Sequence, residues 1–278
     1  MSALAVRVSQ RSCIGSRARN EDCVGVEQDR GHWCLVLSDG AGGHCDGALA
    51  SRLVVDRILT GFRSRPPIDA GDLSELLLDA HDGVVAAQRA RGATDPASAM
   101  HATVVVLMID TTTGRALWGH VGDSRLYLWR DGRAAAMTRD DSVVQWMLDA
   151  GVIDSARVQD VARRGLLLAA LGSENEVEPH VVSEPFELRD ADAFLLCSDG
   201  WWDGLDETQI DALLAEASTP EQWLDSMAAA TLARGDPKQD NYSAIGCWIG
   251  DRVAARQPDA STVPVIFPHL RDGHTDPR

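Results

Sequence analysis

Residues 34–40 read Cys34-Leu35-Val36-Leu37-Ser38-Asp39-Gly40, and residues 194–200 read Phe194-Leu195-Leu196-Cys197-Ser198-Asp199-Gly200. Both are apolar runs that end in Ser-Asp-Gly, which predicts two buried strands that each carry a carboxylate to the C-terminal end. Glycine at this point allows a sharp turn and lets a ligand approach the backbone carbonyl. One Asp-Gly pair after a strand is usually a plain turn, but two in the same context favour a functional role. We expect Ser38 and Ser198 to cap these turns through hydrogen bonds.

Helical and strand patterns are mixed along the first half of the chain. Apolar residues at helical spacing predict a helix over Asp46–Phe62, and a capping box of Asp72 and Glu75 predicts the start of a second helix. Four short strand-like runs follow, separated by Thr-Gly and Asp-Gly turns, which indicates an antiparallel meander and not a βαβ array. These runs are Thr103–Ile109, Arg115–Val121, Ser124–Trp129 and Ala134–Thr138.

The second half continues the mixed α/β pattern. Beyond Gly250 the tail Asp251–Arg278 is polar and contains proline, so we expect it to be poorly ordered. The helix that begins at Asp206 has Gln209 as its capping-box partner, and Pro220 occupies the first position of the next helix. The predicted elements are a helix over Ser142–Ala150, a strand over Ala193–Cys197, helices that begin at Asp206 and Thr219, and a strand over Tyr242–Ile249.

The composition excludes several classes of function. The chain has 278 residues, with 26 Lys and Arg against 42 Asp and Glu, so its formal net charge of −16 disfavours nucleic acid and anionic membranes as partners. No apolar run approaches the ~18 residues of a membrane span, and Met1–Gln10 lacks the apolar core of a signal peptide, so we expect a cytoplasmic protein. The six cysteines are scattered, which favours reduced core residues over disulfides or a zinc site.

Three further acidic motifs accompany the two Ser-Asp-Gly segments. They are Asn20-Glu21-Asp22, Gly122-Asp123-Ser124-Arg125 between two predicted strands, and Asp240-Asn241 before the last strand. Carboxylates grouped at strand ends repel one another unless a cation neutralises them, and an oxygen-only ligand set favours Mg²⁺ or Mn²⁺ over zinc. From the residues alone, the alternative is a set of unrelated solvated turns.

Five motifs occur in a particular order along the chain. They are Arg17-Ala18-Arg19-Asn20-Glu21-Asp22, Ser38-Asp39-Gly40-Ala41-Gly42-Gly43-His44, Gly122-Asp123-Ser124-Arg125, Ser198-Asp199-Gly200 and Asp240-Asn241-Tyr242-Ser243. In this order they resemble the metal-dependent, protein phosphatase 2C-like family in its bacterial form. The resemblance implies a four-layer α-β-β-α sandwich with two central antiparallel sheets and metals in a cleft at one edge. It also implies a phosphatase domain over residues 1–250.

The same resemblance implies the ligands of a two-ion core. Asp39 would bridge two Mn²⁺ or Mg²⁺ ions, and the Gly40 carbonyl would contact one of them. Asp199 and Asp240 would supply the remaining direct carboxylates.

It further implies residues around that core. Glu21 and Asp22 would hold metal-bound waters, and Asp123 would contact a third, weaker ion. Arg17 matches the phosphate-binding arginine of the family, since a planar guanidinium can contact two phosphate oxygens at once. Arg19 is the competing candidate for this role.

The activity that the resemblance implies is hydrolysis of phosphoserine and phosphothreonine in proteins by a metal-bridged water, opposing a bacterial Ser/Thr kinase. Two alternatives stay open. One is a catalytically inactive, phosphatase-like binding module. The other is a cysteine-dependent phosphatase, for which the spacing of Cys13 and Arg19 would let a thiolate and a guanidinium share one phosphate.

Two departures from the family pattern concern the surroundings of the site. The usual Asp-His-Ser is replaced by Asp140-Asp141-Ser142, and the segment Val152–Glu176, where we expect a substrate-facing flap, lacks customary residues. Trp201 and Trp202 follow the second Ser-Asp-Gly, and we expect them to pack beneath the site.

Overall fold

The structure, a computed structural model, describes residues 4–41, 46–92, 99–142, 169–174 and 176–250, together with the backbone of residues 265–266. Nearly all of the predicted helix at 142–150, most of the expected flap and nearly all of the expected tail lie outside the described residues. The described strands are β1 (Val6–Cys13), β2 (Asp22–Asp29), β3 (His32–Ala41), β4 (His101–Ala102), β5 (Val104–Asp110), β6 (Arg115–Val121), β7 (Arg125–Arg130), β8 (Arg133–Met137), β9 (His180–Val181), β10 (Phe186–Glu187), β11 (Ala193–Cys197), β12 (Tyr242–Ile249) and β13 (Val265–Ile266). The described helices are α1 (Asp46–Ser64), α2 (Ala70–Ala90), α3 (Asp199–Trp202), α4 (Glu207–Glu216) and α5 (Pro220–Ala233).

These strands form two sheets. The first sheet has the order β1-β12-β11-β7-β8-β13, and the second has the order β10-β6-β5-β3-β2, with β4 beside β3 and β9 beside β6. Neighbouring strands are antiparallel except for β13, which pairs with β8 in parallel. The predicted meander is confirmed as β5, β6, β7 and β8, although its members divide between the two sheets.

Three clusters of apolar side chains hold the layers together. One packs α1 and α2 against the outer face of the second sheet, the next lies between the sheets, and the last packs α4 and α5 against the first sheet. Strand β3 takes part in two of them, because alternate residues face opposite sides: Val36 faces the helices, whereas Leu35 and Leu37 face the other sheet. The mixed α/β, four-layer arrangement implied by the sequence motifs is thereby confirmed.

Two of the predicted helix starts agree with the structure, and one does not. The capping box of Asp206 and Gln209 is present, and Thr219 caps the helix that begins at Pro220. The prediction of a capping box at Asp72 is wrong, because α2 begins at Ala70 and is capped by Asp69. Asp72 lies in the first turn, where its carboxylate accepts a hydrogen bond from the backbone of Ile68.

The first Ser-Asp-Gly segment is not a turn. Strand β3 runs through Asp39 and Gly40 and continues to pair with β4, so the predicted turn is wrong at this position. Gly40 is required here for close packing and not for a turn, because a Cβ atom on it would lie 2.0 Å from the backbone oxygen of Gly47 in α1. In the second segment, Asp199 and Gly200 form the start of α3.

Two further expectations concern the class of protein. In the described part of the chain, Cys34, Cys197 and Cys247 are free and buried, as predicted for core thiols, whereas Cys13 and Cys23 are free but only partly buried. Among the described residues, every helix is too short or too polar to cross a lipid bilayer.

The contact between Gly40 and α1 predicts a steric effect on stability. Gly40→Ala should lower the free energy of unfolding of the metal-free protein by about 3 kcal/mol, because the new methyl group meets rigid backbone atoms. Gly246→Ala in β12 is the matched control, since a Cβ there meets its nearest atoms at an ordinary 3.4 Å and should change stability by less than about 1 kcal/mol. Urea unfolding in EDTA measures both. Equal effects would contradict the packing role of Gly40.

Candidate active site

Acidic residues from both sheets meet at one end of the sandwich. Asp22 in β2 lies directly opposite Asp39 in β3 in the register of the second sheet. Asp199 arrives from the first sheet, at the point where β11 is followed by α3. The charges of both Asp22 and Asp199 are close enough to Asp39 to raise the pKa of its carboxyl group. The two sheets therefore present a joint acidic cluster.

A buried serine connects the two sheets at this cluster. The hydroxyl of Ser198 donates to Oδ2 of Asp22 over 2.9 Å and accepts a hydrogen bond from the backbone N–H of Ser243 over 3.0 Å. The expectation that Ser38 and Ser198 cap their own turns is wrong: Ser198 makes no capping bond to α3, and Ser38 donates to the carbonyl of Thr103. Because neither segment forms the predicted turn, both hydroxyls are available for contacts across the structure.

Thr103 holds the backbone of Asp39 in place. Its side-chain oxygen accepts a hydrogen bond from the N–H of Asp39 over 3.0 Å, and its own N–H donates to the Asp39 carbonyl over 2.8 Å. The same side-chain oxygen lies 2.7 Å from the hydroxyl of Ser124, next to Asp123. The sequence pattern placed Thr103 at the start of an apolar strand but did not assign it a contact with Asp39.

Asn241 organises the segment that holds the first motif. Its Oδ1 accepts a hydrogen bond from the N–H of Glu21 over 2.9 Å, and its Nδ2 donates to the carbonyls of Ile14 and Arg19 over 2.8 and 2.9 Å. The side-chain amide of Asn241 thus uses both its oxygen and its nitrogen to bind the backbone of the segment that carries Arg17. The sequence marked Asn241 as part of a motif but gave no reason for its presence.

The enclosure of the acidic cluster raises the pKa values of its carboxyls. Desolvation raises the pKa of Asp39 well above its ordinary value, and four neighbouring carboxylates add to the shift. Desolvation likewise raises the pKa of Asp199 to about 8, that of Asp123 to about 7 and that of Asp22 to about 6. Protons thus stabilise the cluster in the absence of a cation, and a divalent ion would do the same while keeping the carboxylates charged.

The cluster fits a divalent cation in two respects. Oδ1 of Asp22 and Oδ1 of Asp199 are buried without a hydrogen-bond partner, which leaves two acceptor atoms unsatisfied. The donor set consists of oxygen atoms, as Mg²⁺ and Mn²⁺ prefer. No group of three or more His, Cys, Asp or Glu side chains within the described ranges already has the arrangement of an assembled ion site. The fit therefore rests on the unsatisfied oxygens and on the concentration of negative charge.

Glu21 and Gly40 lie beside this cluster and contact each other. The backbone N–H of Gly40 donates to the Glu21 carbonyl over 3.1 Å, and the hydroxyl of Ser51 in α1 donates to the same carbonyl over 2.6 Å. Burial raises the pKa of Glu21, with the Arg17 charge lowering it and the Asp240 charge raising it. Glu21 is thus close to both the cationic and the anionic groups of the site.

The two candidate phosphate-binding arginines have different surroundings. The guanidinium of Arg17 donates to Oδ2 of Asp240 over 2.5 Å, and this hydrogen bond raises its pKa. The side chain of Arg17 is nevertheless 58% exposed, so it is accessible to a substrate. Arg19 is also exposed, and its backbone carbonyl is bound by Asn241. The direct contact with Asp240 favours Arg17 over Arg19.

Asp123 lies in the link between β6 and β7, close to α3. Its backbone carbonyl accepts a hydrogen bond from the indole N–H of Trp202 over 3.0 Å. Trp202 thus contacts the site directly, whereas Trp201 is fully buried and packs against Tyr242. The expectation of packing beneath the site describes Trp201, and the polar contact of Trp202 was missed.

Comparison with known proteins identifies this architecture. The family model for Protein phosphatase 2C matches residues 9–221. The chain belongs to the protein phosphatase 2C family. The serine/threonine protein phosphatase PstP of Mycobacterium tuberculosis is 35% identical over 212 residues, which are 76% of this chain and 39% of PstP. The chain thus spans about two fifths of the length of that relative.

One further relative and one solved structure match over more of their own length. The serine/threonine phosphatase stp of Listeria monocytogenes serotype 4b is 28% identical over 235 residues, covering 82% of this chain and 90% of stp. The crystal structure of the catalytic domain of PstP in complex with two manganese ions superposes with a TM-score of 0.75 at 29% identity, covering 89% of this chain and 100% of that domain.

Membership of the protein phosphatase 2C family gives no support to either alternative. Cys13 lies in β1 opposite Tyr242 and packs at the margin of an apolar cluster. A nucleophilic thiol is expected in an electropositive, accessible setting. None of the relatives named above is described as inactive.

The raised pKa values predict how the stability of the metal-free protein depends on pH. The folded state keeps protons that the unfolded chain releases near pH 4, so this stabilisation is fully present below pH 4 and is lost as pH rises through about 8 at Asp199. Between pH 7 and 8.5 in EDTA, the wild type should lose about 1 kcal/mol more stability than Asp199→Asn. Parallel urea-unfolding series on the two proteins measure the difference. Identical slopes would show that Asp199 is already ionised in the folded protein.

Proposed function

We propose that the chain is a metal-dependent phosphatase that hydrolyses phosphoserine and phosphothreonine in proteins. The observation that carries this proposal is the acidic cluster of Asp22, Asp39 and Asp199, with its two buried, unpartnered oxygens, within a protein phosphatase 2C fold. The names of PstP and stp as serine/threonine phosphatases support the substrate class. The manganese ions in the PstP catalytic domain support the choice of ion.

We assign the residues that would hold the ions from the sequence motifs and from the position of the acidic cluster. Asp39 lies opposite Asp22 in the sheet and interacts electrostatically with Asp199, so we assign it as the residue that would contact both ions of a two-ion core of Mn²⁺ or Mg²⁺. We assign the remaining direct contacts to Asp199, Asp240 and the Gly40 carbonyl. Water-mediated contacts fall to Glu21 and Asp22, the latter held by Ser198. Asp123, on the other side of Thr103, would contact a third ion.

The chemistry divides between the ions and the chain. Divalent ions supply positive charge that lowers the pKa of a water molecule and neutralises phosphoryl oxygens in an in-line displacement. Arg17 would bind the phosphoryl group with its exposed guanidinium, and its bond to Asp240 aims it at the acidic cluster. The hydrogen bonds from Asn241 fix the segment on which Arg17 lies, so the arginine is oriented before substrate arrives.

The wider setting is part of the same proposal. The substrates would be phosphoproteins, and the partner system a Ser/Thr kinase that phosphorylates them in the cytoplasm. We assign the phosphatase domain to residues 1–250, since β12 ends at Ile249 and pairs with both β1 and β11. With a net charge of −16, the chain has no general attraction for nucleic acid or anionic lipid.

The proposal predicts metal-dependent release of phosphate. With Mn²⁺, the full chain should hydrolyse a phosphothreonine peptide, and EDTA should abolish the reaction. Asp39→Asn and Asp199→Asn should each lower kcat/KM roughly 100-fold or more, because a ligand contributes at least as much as the outer partners of a metal site. Phosphate release measured against peptide concentration gives these values.

A cysteine variant is the control for this experiment. Cys13→Ser should keep wild-type activity if the chemistry depends on metal and not on a thiol. Absence of turnover with Mn²⁺ would refute the phosphatase proposal. Turnover that survives EDTA but is lost in Cys13→Ser would favour the thiol mechanism instead.

The two arginines predict different kinetic effects. Arg17→Ala should raise KM about tenfold or more with little change in metal affinity, since a hydrogen bond to a charged group contributes about 1.5–3 kcal/mol. Arg19→Ala, two residues along the same exposed segment, should change KM by less than about twofold. Steady-state kinetics with the phosphothreonine peptide, together with Mn²⁺ titration, measure both parameters. The reverse order of effects would assign phosphate binding to Arg19.

A further inference from the structure

The peptide unit of Gly122 and Asp123 is held from two directions by residues outside the ligand set. Asp123 is the residue to which we assign the third ion, so this inference rests on the proposed function. The link that contains it is only three residues long, from Gly122 to Ser124, between β6 and β7. Its backbone position therefore fixes where the Asp123 carboxylate can reach.

Asp141 binds both polar backbone groups of Gly122. Its Oδ2 accepts a hydrogen bond from the Gly122 N–H over 3.0 Å, and its own N–H donates to the Gly122 carbonyl over 2.9 Å. Its other oxygen, Oδ1, lies 2.7 Å from Nε2 of His180. The side chain of Asp141 is only 9% exposed. This residue stands where the family usually has histidine, and here it acts as an acceptor toward the turn.

Trp202 binds the other end of the same peptide segment. Its indole N–H donates to the Asp123 carbonyl over 3.0 Å. The guanidinium of Arg125 lies over the Trp202 ring, 3.7 Å from the ring centre, and is itself held by two hydrogen bonds to Asp140 of 2.8 and 2.7 Å. The orientation of the indole is thus set by a cation that cannot easily move.

The remaining side of the link is closed by Thr103. Gly122 has a φ of +98°, and a Cβ atom on it would lie 2.7 Å from the methyl group of Thr103. Thr103 also binds the backbone of Asp39, and Trp202 belongs to the same four-residue helix as Asp199. The position of Asp123 is therefore tied to two residues of the ion core.

We propose that Asp141 and Trp202 are positioning residues that fix the Gly122–Asp123 peptide and thereby set the affinity of the ion contacted by Asp123. Neither side chain needs to touch the ion. Partners that orient metal ligands typically change metal affinity about 10–100-fold when they are removed. The tighter ions of the core depend on other contacts and keep their affinity.

Trp202→Phe tests the contact to the Asp123 carbonyl. Phenylalanine keeps an aromatic ring beneath Arg125 but has no N–H to donate. Isothermal titration of the full-length protein with Mn²⁺ should show a weak binding phase with an affinity about tenfold lower, and an unchanged tight phase. Trp201→Phe is the matched control in the same helix, because the Trp201 N–H is buried without a hydrogen-bond partner. It should leave both phases unchanged.

Asp141 is tested by a pair of variants. Asp141→Ala removes the acceptor for the Gly122 N–H and should weaken the same phase about tenfold. Asp141→Asn keeps an oxygen for that N–H and should restore most of the affinity. Because the two contacts hold opposite ends of the peptide segment, either series tests the inference should the other protein fail to fold. Asp123→Ala, which should lose the weak phase altogether, is the reference.

The outcomes separate this inference from the proposed function. Wild-type weak affinity in both Trp202→Phe and Asp141→Ala would overturn the inference, as would a wild-type titration without a weak phase. Loss of the tight phase in these variants would also overturn it, because the residues would then support the ion core. Phosphothreonine hydrolysis by the wild type is measured separately, so an inactive wild type with the expected titrations would refute the function and leave the positioning role standing.

Discussion

The repulsion between carboxylates enclosed at one point is the constraint on which this structure depends. Asp39 and Asp199 come from different sheets and meet where water is partly excluded, so their charges interact much more strongly than on an open surface. The fold opposes this repulsion with hydrogen bonds from neutral groups, such as Ser198 to Asp22, and with one exposed cation, Arg17, which pairs with Asp240. A divalent cation would neutralise the remaining negative charge of these carboxylates.

The groups that oppose the repulsion are also those that give the site its shape. Ser198 reaches from the first sheet to Asp22 in the second, Thr103 fixes the backbone of Asp39, and Asn241 fixes the segment that carries Arg17. Each of these side chains makes two or more hydrogen bonds, so none can rotate without leaving a polar group unpaired. Ligands held in this way do not have to be ordered when an ion or a substrate binds.

The sequence was sufficient for the general architecture and for the acidic residues, but not for their supports. Apolar periodicity located α1, the meander and β12, because each of these elements packs apolar side chains into one or two cores. The sequence pattern wrongly predicted a turn at Asp39-Gly40. The glycine at position 40 is explained by the close packing of Gly47 against strand β3. The roles of Thr103, Asp141 and Trp202 arise from contacts between distant parts of the chain. No local pattern encodes them.

The position of β12 has a consequence for folding during synthesis on the ribosome. β12 lies in the interior of the first sheet, where Ile249 pairs with Val6. During synthesis, β1 therefore cannot pair until β12 has been made. At ribosomal rates of about 5–20 residues per second, that wait lasts roughly 10–50 s. Asp240 and Asn241, which complete the acidic cluster and fix the first motif, leave the ribosome together with β12. The first sheet and the site therefore both stay incomplete until residues 240–249 have been made.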